Sequence, residues 1–370
     1  MKITIITSPF GYIPPNGIGA VEKLWYDLGI EFKKKGNDVT IISKLPASYD
    51  SFKDEIDRVY IKAYRRRNNI YKDLFFDLLY SLKCFLKIKK TDVLVLNTFW
   101  TPFLCHLFKR NYVISIYNVQ RYPKGQFRYL SHIDKLVACS SMIQKAVLSQ
   151  TPNICNVCTI NNPVNLDIFY PDRKNLIEDT VNVVYTGRIH PEKGLLNLIK
   201  ALALLTEVKA IKLLLIGTYD IEKGGGGELY RKKLEECAKN VELIFIGEIA
   251  DPKSMACYMR EAHIYCYPPL ETTGDAMPCA PLEAMALGLP VIVSDIPCFD
   301  DYVVNGENAI RFDVSKNAVI NLKRALELLI NDEALRLRIG KNASLTAQRF
   351  SCSSIADQYL YLFKSLLQNG

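Results

Sequence analysis

The chain has 370 residues, 49% of them hydrophobic and 23% charged, with a net charge of +8. That much apolar material can bury two ordinary cores and argues against a disordered chain, and with no run of about 18 apolar residues a membrane-spanning helix is not expected. Eleven scattered cysteines, an odd number, suit reduced thiols and a cytoplasmic setting.

The opening MKITIITS has too short an apolar run for a signal peptide and reads as a first strand. After it comes SPFGYIPPNGIGAVEKL, where Gly17 and Gly19 precede a helix from about Ala20. Glycines there let backbone approach a ligand at a helix N-terminus. Glu22 occupies the third place of a G-x-G-x-x-G, so a dinucleotide fingerprint is disfavoured. The strands DVTIIS, DVLVLN, YVISI and KLVACS complete the first half. Residues 1–170 hold 24 Lys+Arg against 13 Asp+Glu, so this half carries all of the positive excess. Residues 60–90 alone carry nine basic and two acidic side chains among Tyr, Phe and Leu. They read in two ways. One is a basic amphipathic helix on an anionic membrane surface, favoured because the charge asymmetry runs through the whole half. The other is a core helix with a solvated basic face. No nucleic-acid-binding motif accompanies the charge. The Cys155-x-x-Cys158 pair has no second pair with which to bind zinc.

The polar stretch PDRKNLIEDT, residues 171–180, reads as a seam. Beyond it the strands VNVVYTG, KLLLIG, VELIFIG, HIYCYP and PVIVSD alternate with helical stretches. The whole pattern predicts an α/β protein of two doubly wound domains, residues 1–170 and 171–354, with a closing helix over 355–370 packing back. Their facing sheet ends are expected to form a cleft. In YTGRIHPEKGLLN, Gly187 ends a strand and Arg188 and Lys193 lie five residues apart in a solvent-accessible turn. Two such cations either converge on a departing diphosphate or are ordinary surface charge. Gly217 and Gly247 end the next two strands, suggesting a ligand across the strand tips. The tetraglycine Gly224–Gly227 reads as a flexible loop.

In GDAMPCAPLEAMALGLPVIVSD, a loop with Asp275 leads into a short helix whose first residue is expected at Pro281. Glu283 would then lie in the first turn, facing the positive end of the helix dipole. A first-turn acid is a common stabiliser, but that leaves Asp275 unexplained.

The run G-R-x-x-x-x-K-G, with an acid-x7-E followed by EAMALGLPVIVSD, resembles the retaining GT-B glycosyltransferases of family four. So do the opening strand–glycine loop–helix–strand, GYIPPNGIGAVEKLWYDLGIEFKKKGNDVTII, and the junction PVNLDIFYP. The resemblance implies two Rossmann-like domains and a nucleoside-diphosphate sugar donor held mainly by the C-terminal one. Arg188 and Lys193 would hold the diphosphate, Glu283 the nucleotide ribose and Asp275 the donor sugar, while Gly17 and Gly19 approach from the other domain. Removing the charge of Asp275 should then leave nucleotide binding unchanged. Two features depart from the family. Asp275 stands where Glu is usual, so Glu271 is a candidate to share the sugar contact. ISIYNVQRYPKG has Tyr117 and Asn118 where members often carry a His; His190, in the phosphate turn, reads as a turn residue.

The resulting expectation is a metal-independent retaining transferase with no cofactor. It would act on a glycan or lipid-linked acceptor hydroxyl in surface polysaccharide biosynthesis, at the inner face of the membrane, with no nucleic-acid partner. Two alternatives share the fold: a sugar-nucleotide epimerase, and a catalytically impaired, membrane-attached sugar-nucleotide-binding partner.

Overall fold

The computed structural model describes residues 1–13, 19–46, 56–64, 69–108, 111–154, 156–172, 180–205, 210–270 and 275–369. Gly17, Arg65, Arg66, Arg67, Cys155, Glu271 and most of the 171–180 stretch therefore lie outside the described residues. The chain divides into two compact units, Met1–Pro163 with Cys352–Gly370, and Val164–Ser351. The first boundary lies seven residues before the expected 170/171. Segment 164–170 is tied to the second unit: Arg260 donates to the carbonyls of Ile168 and Tyr170, and the Val164 amide donates to the Phe350 carbonyl at 2.8 Å.

The first unit contains strands β1 (Lys2–Ile6), β2 (Asp38–Lys44), β3 (Asp57–Ile61), β4 (Thr91–Leu96), β5 (Tyr112–Val119), β6 (Lys135–Ala138) and β7 (Val157–Thr159). They form one parallel sheet in the order β3-β2-β1-β4-β5-β6-β7. Its helices are α1 (Ala20–Lys34), α2 (Ile70–Lys87), α3 (Thr101–Leu107) and α4 (Ser141–Gln150). Asn69 caps α2 by accepting from the amides of Tyr71 and Lys72, satisfying two of the orphan donors of the first turn. The buried face of α2 carries Asp77, which accepts from the Ser81 hydroxyl and from the amides of Phe99 and Trp100. Burial lifts that carboxyl to about 6, against the lowering effect of those bonds. Asp77 thus anchors α2 to the chain entering α3.

The second unit alternates β8 (Thr180–Thr186), α5 (Leu195–Ala203), β9 (Ala210–Ile216), α6 (Gly227–Ala238), β10 (Glu242–Gly247), α7 (Pro252–Arg260), β11 (Ile264–Tyr267), α8 (Cys279–Ala286), β12 (Val291–Ser294) and β13 (Ile310–Phe312). Helices α9 (Ala318–Asn331) and α10 (Glu333–Gln348) follow. The strand order is β10-β9-β8-β11-β12-β13, again all parallel. Residues of β11 and β12 are buried throughout, as strands covered by helices on both faces must be. Helix α11 (Cys352–Asn369) returns to the first unit, where Tyr359 packs edge-on against Trp25 at 5.4 Å and Phe363 lies 5.9 Å from Phe32. Both units are Rossmann-like, each a parallel sheet alternating with helices.

Every strand named from the sequence forms. The three that sequence reading missed, β3, β7 and β13, all lie at sheet edges. Each of the three is short or half-exposed and has a neighbour on one side only, so it lacks a long apolar run.

Candidate functional site

In each sheet the strand order reverses once, between β1 and β4 in the first unit and between β8 and β11 in the second. The crevice outside the carboxyl ends of strands at such a reversal is where open α/β sheets bind ligands. Arg188 and Lys193 follow β8, and Asp275 and Glu283 follow β11. The second unit therefore brings Arg188, Lys193 and Asp275 to one edge of one sheet.

A single helical turn, Pro191–Lys193, carries Lys193 inward. Its side chain is only 5% exposed, and its ammonium donates to both oxygens of Asp275 at 2.7 Å each. This corrects the expectation of two solvent-accessible cations. Lys193 is buried because the turn is pressed against the chain leaving β11. The Leu270 amide donates to the Glu192 carbonyl at 2.9 Å, and any Cβ on Gly194 would run into the Pro268 carbonyl. Gly194, at φ +69°, is the residue that permits this close approach.

Arg188 keeps 38% of its side-chain surface and is held from two sides, donating to Glu192 at 2.6 Å and to the Gly224 carbonyl at 2.9 Å. The Tyr185 hydroxyl donates to the carbonyl of Arg188 at 2.8 Å. Gly224 belongs to the tetraglycine, which is not the flexible loop expected from its composition. Its backbone is bonded to Asp220, Ile189 and Tyr219, and a Cβ on Gly226 would press on Tyr230 and Pro191. His190 caps the turn, accepting from the Glu192 amide at 3.4 Å, as read from the sequence. Each cation thus arrives with its own carboxylate, Glu192 for Arg188 and Asp275 for Lys193. The charges cancel within each pair.

Helix α8 begins at Cys279, two residues earlier than expected, so Pro281 is its third residue and Glu283 its fifth. Proline is still tolerated there because the first four amides of a helix have no intrahelical acceptor. Glu283 consequently sits beyond the first turn, half-buried, where its charge raises the pKa of the Tyr265 phenol after the larger effect of burial. That phenol pairs with the Thr186 hydroxyl at 3.0 Å.

Gly187 and Gly217 end β8 and β9. The Gly187 amide donates to Ile216 and the Gly217 amide to Gly247, and a Cβ on Gly217 would collide with the Gly187 carbonyl. Close passage of the strand tips already requires glycine at Gly217. In the first unit, Gly19 leads into α1 beside Glu22, a buried first-turn acid that accepts from the Ser8 hydroxyl at 2.7 Å. A Cβ on Gly11 would overlap the Glu22 side chain, and one on Gly19 would come within 2.9 Å of its carboxylate. These glycines make room for Glu22.

Sequence reading missed Glu192, Gly224, Tyr185 and Tyr267 as parts of the site. The carboxylate one residue before Lys193 and the tetraglycine were visible signals for the first two. Nothing local marked the tyrosines.

Residues 169–346 match the family model described as Glycosyl transferases group 1. The capsular polysaccharide biosynthesis glycosyltransferase CapM of Staphylococcus aureus is 28% identical over 197 residues, covering 53% of this chain and 49% of CapM. The chain thus spans about half the length of that relative. The lipopolysaccharide 1,2-N-acetylglucosaminetransferase of Salmonella typhimurium is 24% identical over 97% of both chains. The structure of Anabaena HepE in complex with UDP and glucose superposes with a TM-score of 0.73 at 16% identity, covering 99% of this chain and 100% of that one.

Proposed function

We propose that this protein is a retaining glycosyltransferase. It moves a sugar from a nucleoside-diphosphate donor to a hydroxyl of a glycan or lipid-linked glycan in surface polysaccharide biosynthesis. The observation that carries the reading is the gathering of Arg188, Lys193 and Asp275 where the second sheet reverses its strand order. Support also comes from relatives named for capsular and lipopolysaccharide synthesis, and from the UDP and glucose in the HepE complex. In the reaction the bond from the sugar's anomeric carbon to the phosphate oxygen breaks. The acceptor oxygen bonds to that carbon on the same face, and its proton passes to the departing phosphate. Arg188 and Lys193 meet the charge that develops on the leaving group, in place of a divalent ion. Asp275 holds the sugar and Glu283 the ribose. Gly187 and Gly217 border the donor.

The protein is proposed to work at the cytoplasmic face of an anionic membrane, bound through α2. At about 100° per residue, Tyr71, Phe75, Leu82 and Leu86 fall within roughly 60° of arc on α2. All four are exposed, Tyr71 by 81%. Lys72, Lys83 and Lys87 are exposed beside them, while Asp77, Tyr80 and Cys84 occupy the buried face. A helix with a merely solvated basic face would not expose four large apolar side chains, whereas interfacial binding uses both apolar area and cations. Among the described residues, no helix is long and apolar enough to cross a membrane.

The testing experiment is a thermal-shift panel of UDP-, GDP- and other nucleotide sugars, run with flotation on anionic and neutral vesicles. A donor at 100 times its dissociation constant should add about 2.7 kcal/mol. Vesicle binding should need anionic lipid and weaken with salt. A panel in which no nucleotide sugar stabilises the protein would overturn the donor reading, and salt-indifferent or absent vesicle binding would overturn the membrane reading.

A further inference from the structure

A row of aromatic side chains runs beneath the site. Tyr185 and Tyr267 stack at 5.7 Å and 10°, Phe299 meets Tyr267 edge-on at 6.3 Å, and Tyr302 meets Phe299 at 6.1 Å. All four rings are buried. The three phenols each grip a different segment above them. Tyr185 donates to the Arg188 carbonyl at 2.8 Å, Tyr267 to Asp275 at 3.1 Å, and Tyr302 to the Pro278 carbonyl, at the start of α8, at 3.0 Å. Tyr267 has a second contact, because the Lys193 ammonium lies 5.5 Å from its ring centroid. It is thus the one member of the row that touches both halves of the Lys193–Asp275 pair.

We infer that Tyr267 is a positioning residue of the donor site: its hydroxyl fixes the Asp275 carboxylate and its ring backs the Lys193 ammonium. The two groups come from loops 82 residues apart. An ion pair alone has no preferred direction about the ammonium, whereas a hydrogen bond from a rigid, buried phenol selects one orientation of the carboxylate. Burial keeps the phenol protonated, since it pushes the Tyr267 pKa well above its ordinary value and the charge of Asp275 adds to that. The hydroxyl therefore remains a donor at any working pH. Tyr185 and Tyr302 extend the same arrangement to the Arg188 turn and the start of α8.

The inference rests on the donor-site reading and is tested with Tyr267→Phe, which keeps the ring and removes the donor. Nucleoside-diphosphate affinity, measured by calorimetry, should stay within about threefold of the parent, because the ring still backs Lys193. Turnover of the sugar donor should fall by about tenfold or more, the order expected for a lost hydrogen bond to a charged group, with its KM little changed. Tyr302→Phe should instead weaken nucleotide affinity through the start of α8. A merely structural Tyr267 would lower affinity, turnover and melting temperature together, and that parallel loss, or turnover within twofold of the parent, would overturn the proposal. A parent protein that neither binds nucleotide nor transfers sugar would overturn the donor site and the positioning role with it.

Discussion

Replacing Lys193 with Ala should remove both turnover and a measurable part of the folding free energy. The ammonium is almost wholly buried and is the counter-ion of Asp275. Its removal leaves a carboxylate in a poorly solvated place with, among the described residues, the Tyr267 hydroxyl as its remaining side-chain partner. Breaking a buried pair from one side costs about 3–5 kcal/mol. The lower end is expected here, because Asp275 retains 19% of its side-chain exposure. Transfer should fall by roughly two or more orders of magnitude, the scale of losing one preorganised group at a developing charge. Arg188→Ala should lose as much turnover but almost no stability, since its side chain is over a third exposed and its ion pair is screened. Denaturant titration and single-turnover assays on both variants separate the two effects. Equal stability loss in the two, or near-normal transfer in either, would contradict this account of the pair.

Asp275→Asn should strengthen the binding of a bare nucleoside diphosphate while weakening transfer. With Asp275 assigned to the sugar end alone, the sequence implied unchanged nucleotide affinity. The 2.7 Å contact to Lys193 revises that. The carboxylate engages the ammonium that a diphosphate would use, so removing its charge relieves competition and repulsion at that point. Affinity should rise several-fold, while transfer falls by about a hundredfold because the sugar loses its partner. Glu283→Gln should act in the opposite sense on binding, lowering nucleotide affinity tenfold or more through the loss of charged hydrogen bonds to the ribose, each worth about 1.5–3 kcal/mol. Asp275→Glu should impair transfer, because Lys193 and Tyr267 both engage the shorter carboxylate. Calorimetry with the nucleotide decides the matter. Weaker binding in Asp275→Asn would show that the acid assists the diphosphate rather than competing with it.

The two parallel sheets and the positions of α1, α2, α5 and α11 were legible in the sequence because they depend on local pattern. Runs such as DVTIIS and PVIVSD declare a strand buried on both faces, and Gly288 ends α8 at φ +72° with its amide bonded to Met285. Spacing also marked Arg188, Lys193, Asp275 and Glu283, because strand ends must deliver loop residues to one edge of the sheet. What it could not convey was how those residues meet. The tetraglycine looked floppy by composition, yet its backbone is pinned and holds Arg188. The start of α8 was misread because Pro281 fits more than one place in a first turn. Above all, Lys193 and Asp275 stand 82 residues apart in the chain and 2.7 Å apart in space. No local period encodes that meeting. It follows from strand order, which puts β8 beside β11, and from Gly194, whose missing side chain lets the two loops close until a surface-seeming lysine is buried against an acid and a tyrosine.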